Sequence, residues 1–154
     1  MSRHDLLERD LTYSIIGVFF DVYGTLGYGF LEHTYMEALD IEVRARGHVV
    51  QREVPVSVYY KGRVIARHRL DMVVDGRVVV EAKAGPLLPP FAVRQLYNYL
   101  RATDLSVGLL LHFGPEAKHH RVVCERSRLT GAAPSASILS TIEDRGDLPP
   151  IAAT

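Results

Sequence analysis

Leu105 to Gly114 reads LSVGLLLHFG, a continuous apolar run of strand length. A strand without polar alternation is buried on both faces of its sheet, so something must cover both sides. The rest of the chain has to supply those covers and the neighbouring strands.

Apolar residues recur at helical spacing from Asp10 to Leu26, with Ile15, Val18, Phe19 and Val22 on one face and Asp10 or Thr12 as the cap. A second helix is expected from Phe30 to Arg46, with Leu31, Ala38, Leu39 and Val43 toward the core and Gly47 as its stop. The period then changes to two. Strands are expected over Val49–Tyr60, with Pro55 marking an edge or bulge, over Arg63–Val74 and over Arg77–Ala84, joined by turns at Lys61-Gly62 and Asp75-Gly76. A third helix is expected over Phe91–Ala102, then the apolar strand, then an edge strand over His119–Arg126. The order ααβββαββ predicts an α/β domain, a mixed sheet of four to five strands flanked by helices. Beyond Ser127 the periodicity is lost and small residues and proline take over, so 127–154 is expected to be a loosely attached or disordered tail to a domain at 1–126.

The formal net charge is zero, which is not the footprint of a protein that holds nucleic acid by bulk charge. No apolar run is long enough for a transmembrane helix, and MSRHDLLERD lacks the apolar core of a signal peptide. Cys124 is the only cysteine, which excludes an intrachain disulfide and makes a reducing cytoplasm the expected location.

Against this ordinary background, the hairpin RLDMVVDGRVVVEAKAG (Arg69–Gly85) places Asp71, Glu81 and Lys83 among valines. Glu81 and Lys83 share a strand face. A two-residue Asp75-Gly76 loop pairs Asp71 with Val80 and turns it away from Glu81. A three-residue loop of Val74, Asp75 and Gly76 sets it opposite Val79, on the face of Glu81 and diagonal to it. Either the charges are exposed at strand ends, with Lys83 as an ion-pair partner, or the two carboxylates share a divalent cation. Mg²⁺, a hard ion that takes carboxylate oxygens and keeps several waters, suits such a place.

Asp71 followed by Glu81-Ala82-Lys83 resembles the PD-(D/E)xK nuclease superfamily, with Leu70 where the superfamily's name has proline. GFLEHTY, with Gly29, Glu32 and Tyr35, resembles the signature of its bacterial GxxExxY family, and RQLYNYLRATDLSVGLLLHFG (Arg94–Gly114) resembles that family's following helix and strand. The resemblance spans Leu11 to Arg126. It implies a restriction-endonuclease-like core and a Mg²⁺- or Mn²⁺-dependent phosphodiesterase acting on DNA or RNA. In that family's terms Asp71 and Glu81 would ligate the metal with the Ala82 carbonyl, Lys83 would orient the attacking water or stabilise the transition state, Glu32 would hold a water or second ion, and Gln95 would hydrogen-bond near Lys83.

Other roles are open to these residues. Glu32 is equally a solvated helix residue, and Gln95, Asn98 and Tyr99 equally a polar helix face. Tyr35 is expected to pack on the sheet and orient Glu32. Arg67 and Arg69 either meet phosphates or balance the carboxylates. His112, His119 and His120 lack a matching zinc ligand set and are expected at the surface, and Cys124 is expected to serve as a small apolar residue. The rival to the nuclease is a nuclease-like domain that no longer cuts and serves binding or assembly; a hydrolase of small phosphate compounds is a third reading. The neutral charge points to a basic surface gained by self-association or from a protein partner.

Overall fold

The structure, a computed structural model, describes residues 2–125, so the expected tail at 127–154 lies outside the described residues. A short helical turn α1 (Arg3–Leu6) precedes α2 (Arg9–Leu26) and α3 (Glu32–Ala45). Strands β1 (Val50–Tyr60), β2 (Arg63–Val74) and β3 (Val78–Ala84) follow, then α4 (Ala92–Arg101), β4 (Val107–Phe113) and β5 (Ala117–Val123). The five strands form one sheet in chain order; β3 and β4 run parallel and the other neighbours antiparallel. This is the mixed α/β architecture expected, with β1 carrying Pro55 at an edge, as expected of that proline. The last strand starts two residues earlier and ends three earlier than its valine and histidine pattern suggested, because Ala117 already pairs with Phe113.

β4 is buried at every position, as its composition requires. On one face Val107, Leu109, Leu111 and Phe113 pack with α2 and α3; on the other Leu110 packs with Leu96 and Leu100 of α4. Each such side chain, fully withdrawn from water, contributes about 1.5–3 kcal/mol before entropy is counted. Gly108 lets α4 approach: a Cβ there would lie 2.9–3.0 Å from the Leu96 side chain.

Cross-connections fix the helices to the sheet. Arg52 of β1 pairs with Glu37 and Asp40 of α3 at 3.0 Å. Ser14 Oγ lies 2.9 Å from His48 Nε2, and His48 Nδ1 lies 2.7 Å from Asp75 Oδ2. That sequence of groups has the order of a nucleophilic triad, but Ser14 sits inside α2, where the backbone N–H groups are spent on the helix and leave no oxyanion hole beside it. Its effect is to tie α2 to the start of β1 and to the β2–β3 turn.

No described helix is long and apolar enough to cross a membrane.

Candidate active site at the β2–β3 splay

The β2–β3 turn decides where Asp71 points. Asp75 and Gly76 both take left-handed backbone angles, and the Arg77 N–H donates to the Val74 carbonyl at 3.0 Å. The ladder then resumes with Val74 opposite Val78, so Arg77 is an extra residue on the β3 side. The pairs are Val74–Val78, Val73–Val79 and Met72–Val80, and the same register carried one position further brings Asp71 to Glu81, which its hydrogen bonds to Glu81 and Ala82 bear out. The two-residue turn is present, but the added Arg77 makes the connection three residues long, so Asp71 comes to the face of Glu81 as an odd-length loop requires, with the loop at 75–77 instead of 74–76 and the partner Glu81 instead of Val79. Two acids that face each other share a sheet face.

At that position the backbone ladder between β2 and β3 ends, and side chains replace it. The Asp71 N–H donates to Glu81 Oε1 at 3.1 Å, and the Ala82 N–H donates to Asp71 Oδ2 at 3.2 Å. In an extended strand the N–H and C=O of one residue point the same way, so the Ala82 carbonyl is also directed into the gap. Opposite Asp71 on the other side, Glu53 holds a left-handed φ of 52° inside β1, and the β1–β2 register passes over these two residues. The ribbon changes faces here. Val50, Met72 and Val74 belong to the core under α2 and α3, whereas Val54, Val56 and Leu70 belong to the core under α4. The strained Glu53 backbone and the splayed ladder are thus one local feature, centred on Asp71.

Glu81 is only 7% exposed. Burial pushes its carboxyl well above the usual carboxylate range, and the charge and hydrogen bond of Asp71 push it the same way; the Asp71 N–H and the Lys83 ammonium pull it back. Lys83, two residues along β3, is half-buried on the same face. The pair is a set of hard oxygen donors in which two negative charges face each other, the arrangement a divalent cation stabilises. Among the described residues no three His, Cys, Asp or Glu side chains gather as a ready metal-binding group.

The helices bring the remaining candidates to the margins. Tyr99 of α4 is half-buried, and its phenol is raised by burial and then by the charges of Glu81 and Asp71. Gln95, one turn earlier on the same face, is exposed and shares a groove with Tyr99, Asn98 and His68. Glu32 is exposed at the first position of α3 and lines a cavity with Ala84, Gly85 and Pro86 at the end of β3. No hydrogen bond or ion pair among the described residues joins it to Asp71 or Glu81. Asp71 and Glu81 do not line that cavity, so Glu32 stands at the rim just past Lys83.

Tyr35 packs on the sheet, as its place in the sequence suggested. It is fully buried, stacks on Phe113 with ring centroids 4.0 Å apart, donates its hydroxyl to the Gly27 carbonyl at 2.8 Å and accepts the Phe30 N–H at 3.3 Å. It thereby fixes the 27–30 loop that leads into Glu32, where Gly29 takes a φ of 109° that other residues rarely adopt.

His112 departs from expectation. It is 5% exposed, not a surface residue, because it lies in the central strand opposite Lys83. Its Nε2–H donates to the Gly85 carbonyl at 2.9 Å, which fixes the chain just after Lys83. The continuous apolar run around it was the signal for its burial. Cys124 is buried among apolar residues, as expected.

A family model of the PD-(D/E)XK nuclease superfamily matches residues 9–124. Among curated proteins no match to the chain is found. A solved structure described as "Crystal structure of SSO0001" superimposes with a TM-score of 0.49 at 18% identity, covering 92% of this chain and 68% of that one. The family match takes in every strand, α3 with Glu32 and α4 with Gln95, and with it the chain belongs to the PD-(D/E)XK nuclease superfamily.

Proposed function

We propose that the chain is a divalent-metal-dependent phosphodiesterase of the GxxExxY type that hydrolyses DNA or RNA. The observation that carries this reading is the Asp71–Glu81 pair, two opposed carboxylates at the point where β2 and β3 part, with Lys83 on the same face. The donor set fits Mg²⁺ or Mn²⁺: Asp71, Glu81 and the Ala82 carbonyl would hold the ion. Such an ion supplies Lewis acidity at a phosphate oxygen and a water of lowered pKa.

The chain's own groups do the rest. Lys83 brings a positive charge to the phosphate oxygens as negative charge grows on them in the transition state. Gln95 and Tyr99 bound the site from α4 and orient the phosphate or water by hydrogen bonding. Glu32, at the rim, orders water entering from the α3 side. Burial of Glu81 excludes bulk solvent behind the pair and strengthens each of these interactions.

The test is incubation of the purified full chain with single- and double-stranded DNA and RNA in Mg²⁺, Mn²⁺ or EDTA, beside Asp71→Ala and Lys83→Ala. Metal-dependent cutting, abolished in both variants, is the expected result. The second reading is a nuclease-fold module that binds without cutting. The position of Glu32 at the rim, apart from the carboxylate pair, favours it. Binding in every condition, with no cutting and no effect of either substitution, would establish that reading instead.

A further inference from the structure

The neutral total charge conceals a strong segregation. Residues 54–70 contain Lys61, Arg63, Arg67 and Arg69 and no acid; residues 82–103 contain Lys83, Arg94 and Arg101 and no acid. The remaining eleven basic residues are left with all eighteen acids. Outside these segments, among the described residues, five arginines are paired with acids: Arg3 with Glu125, Arg44 with Asp40, Arg46 with Asp21, Arg52 with Glu37 and Asp40, and Arg77 with Glu8. Lys61, Arg63, Arg67, Arg69 and Arg94 make no ion pair with a described carboxylate. The two acid-free segments are the β1–β2 ribbon and the β3–α4 stretch, and they meet along one groove.

That groove runs between Val58 and His68 of the ribbon and Arg94, Gln95, Asn98 and Tyr99 of α4, with Arg101 also at its wall. Tyr99 connects it to the carboxylate pair, since it packs against the apolar cluster that holds Leu70, next to Asp71, and Val79, two residues before Glu81 on the same strand face. The His68 and Tyr99 rings stand 5.2 Å apart at 41°, and Arg94 lies over Tyr97 at 4.8 Å. Phe91, at the start of α4, lines the same groove and is 79% exposed. Arg67 and Arg69 alternate with His68 and Leu70, so they lie on the ribbon's other face and add to the field without lining the groove.

We infer that this groove binds a single-stranded polynucleotide and leads it to Asp71 and Glu81. The inference rests on the nuclease reading for its direction but not for its evidence. One exposed and two half-buried aromatic rings, with side-chain amides and guanidinium groups, in a concave channel lined by no acid match unstacked bases on a phosphate backbone. A duplex turns its base faces inward and offers such rings nothing to stack on.

The test reads binding, not cleavage. Fluorescence anisotropy of labelled oligo-dT, oligo-U and a hairpin duplex is followed with the full chain in EDTA over a salt series. Single strands are expected to bind about tenfold or more tighter than the duplex, and the oligo-dT and oligo-U arms report the sugar preference. His68→Ala is expected to weaken single-strand binding about tenfold and leave duplex binding unchanged. Arg94→Ala with Arg101→Ala is expected to lower the slope of log K against log salt by about 1.4, two phosphates at about 0.7 each. Arg69→Ala, on the opposite face, is expected to change affinity less than about twofold, the effect of a distant charge under screening. Circular dichroism confirms that each variant is folded. Equal affinity for duplex, a loss in Arg69→Ala as large as in His68→Ala, or polyglutamate binding as tightly as oligo-dT would each overturn the inference; the last would assign the groove to an acidic protein. Because EDTA removes catalysis, a chain that binds single strands in this pattern yet never cuts would refute the nuclease and leave the groove standing. Cutting with duplex preference would do the reverse.

Discussion

Asp71 and Glu81 each complete the hydrogen bonding of the other's strand: the Asp71 amide is held by the Glu81 carboxylate, and the amide next to Glu81 by the Asp71 carboxylate. The pair is therefore positioned by the backbone before any ligand arrives. Its cost in the metal-free protein is two acids in mutual reach with one of them buried.

Glu81→Gln should stabilise the metal-free protein at neutral pH while abolishing its stabilisation by Mg²⁺ or Mn²⁺. The expected rise in Tm is about 2–4 °C, the response of a chain of this size to about 1 kcal/mol. Thermal unfolding with EDTA and with added metal checks both halves. A fall in Tm in EDTA would mean that the glutamate is not strained by burial.

The pH dependence of the wild type has a definite sign. Glu81 titrates above its ordinary value of 4.5 in the folded chain, so the folded state keeps a proton that the unfolded chain releases. Its contribution is fully present below 4.5 and is lost as pH rises through the folded value. A divalent ion competes for the same oxygens, so the metal-induced gain in Tm should grow over that window. In Glu81→Gln the slope should vanish. Asp75 has the opposite sign: bonds from the Val49 N–H and His48 outweigh its burial and hold it below its ordinary value. Its contribution is present above that value and lost as pH falls through the folded one, so Asp75→Asn should flatten acid denaturation.

Tyr35→Phe keeps the stack on Phe113 and removes the bonds to Gly27 and Phe30. The expected loss is about 1 kcal/mol of stability with faster hydrogen exchange at the Phe30 amide. Cleavage should fall without being abolished, because Glu32 loses its fixed approach. Unchanged exchange at Phe30 would contradict this role.

Gly108→Val should push Leu96, and α4 with it, away from the sheet. Overpacking of this kind costs about 1–3 kcal/mol, read as a lower midpoint in urea. Single-strand affinity should fall as well, because the groove takes one wall from α4.

Much of the fold was legible because burial leaves a period. The apolar run of β4 demanded cover on both faces, and the turn residues Lys61-Gly62 and Asp75-Gly76 bounded β2 over its full span. The convergence of Asp71 and Glu81 was not fixed by that pattern, since a single extra residue in a turn reverses a strand's faces, and nothing in the identity of Arg77 announces that it is the extra one. The left-handed Glu53 is equally silent, being imposed by the sheet's change of face and not by its own preference. His112 was readable in retrospect, because a strand without polar alternation buries whatever it contains. The charge segregation was present as a count, but its meaning depends on α4 lying against the ribbon, a contact between segments about thirty residues apart.

The most direct measurement is the anomalous difference density of a crystal of the full chain grown with Mn²⁺. A peak about 2.1 Å from oxygens of both Asp71 and Glu81, with the Ala82 carbonyl completing the site, is the expected result. Saturating Mn²⁺ with no peak between those two carboxylates, or a peak held by other residues, would contradict the account.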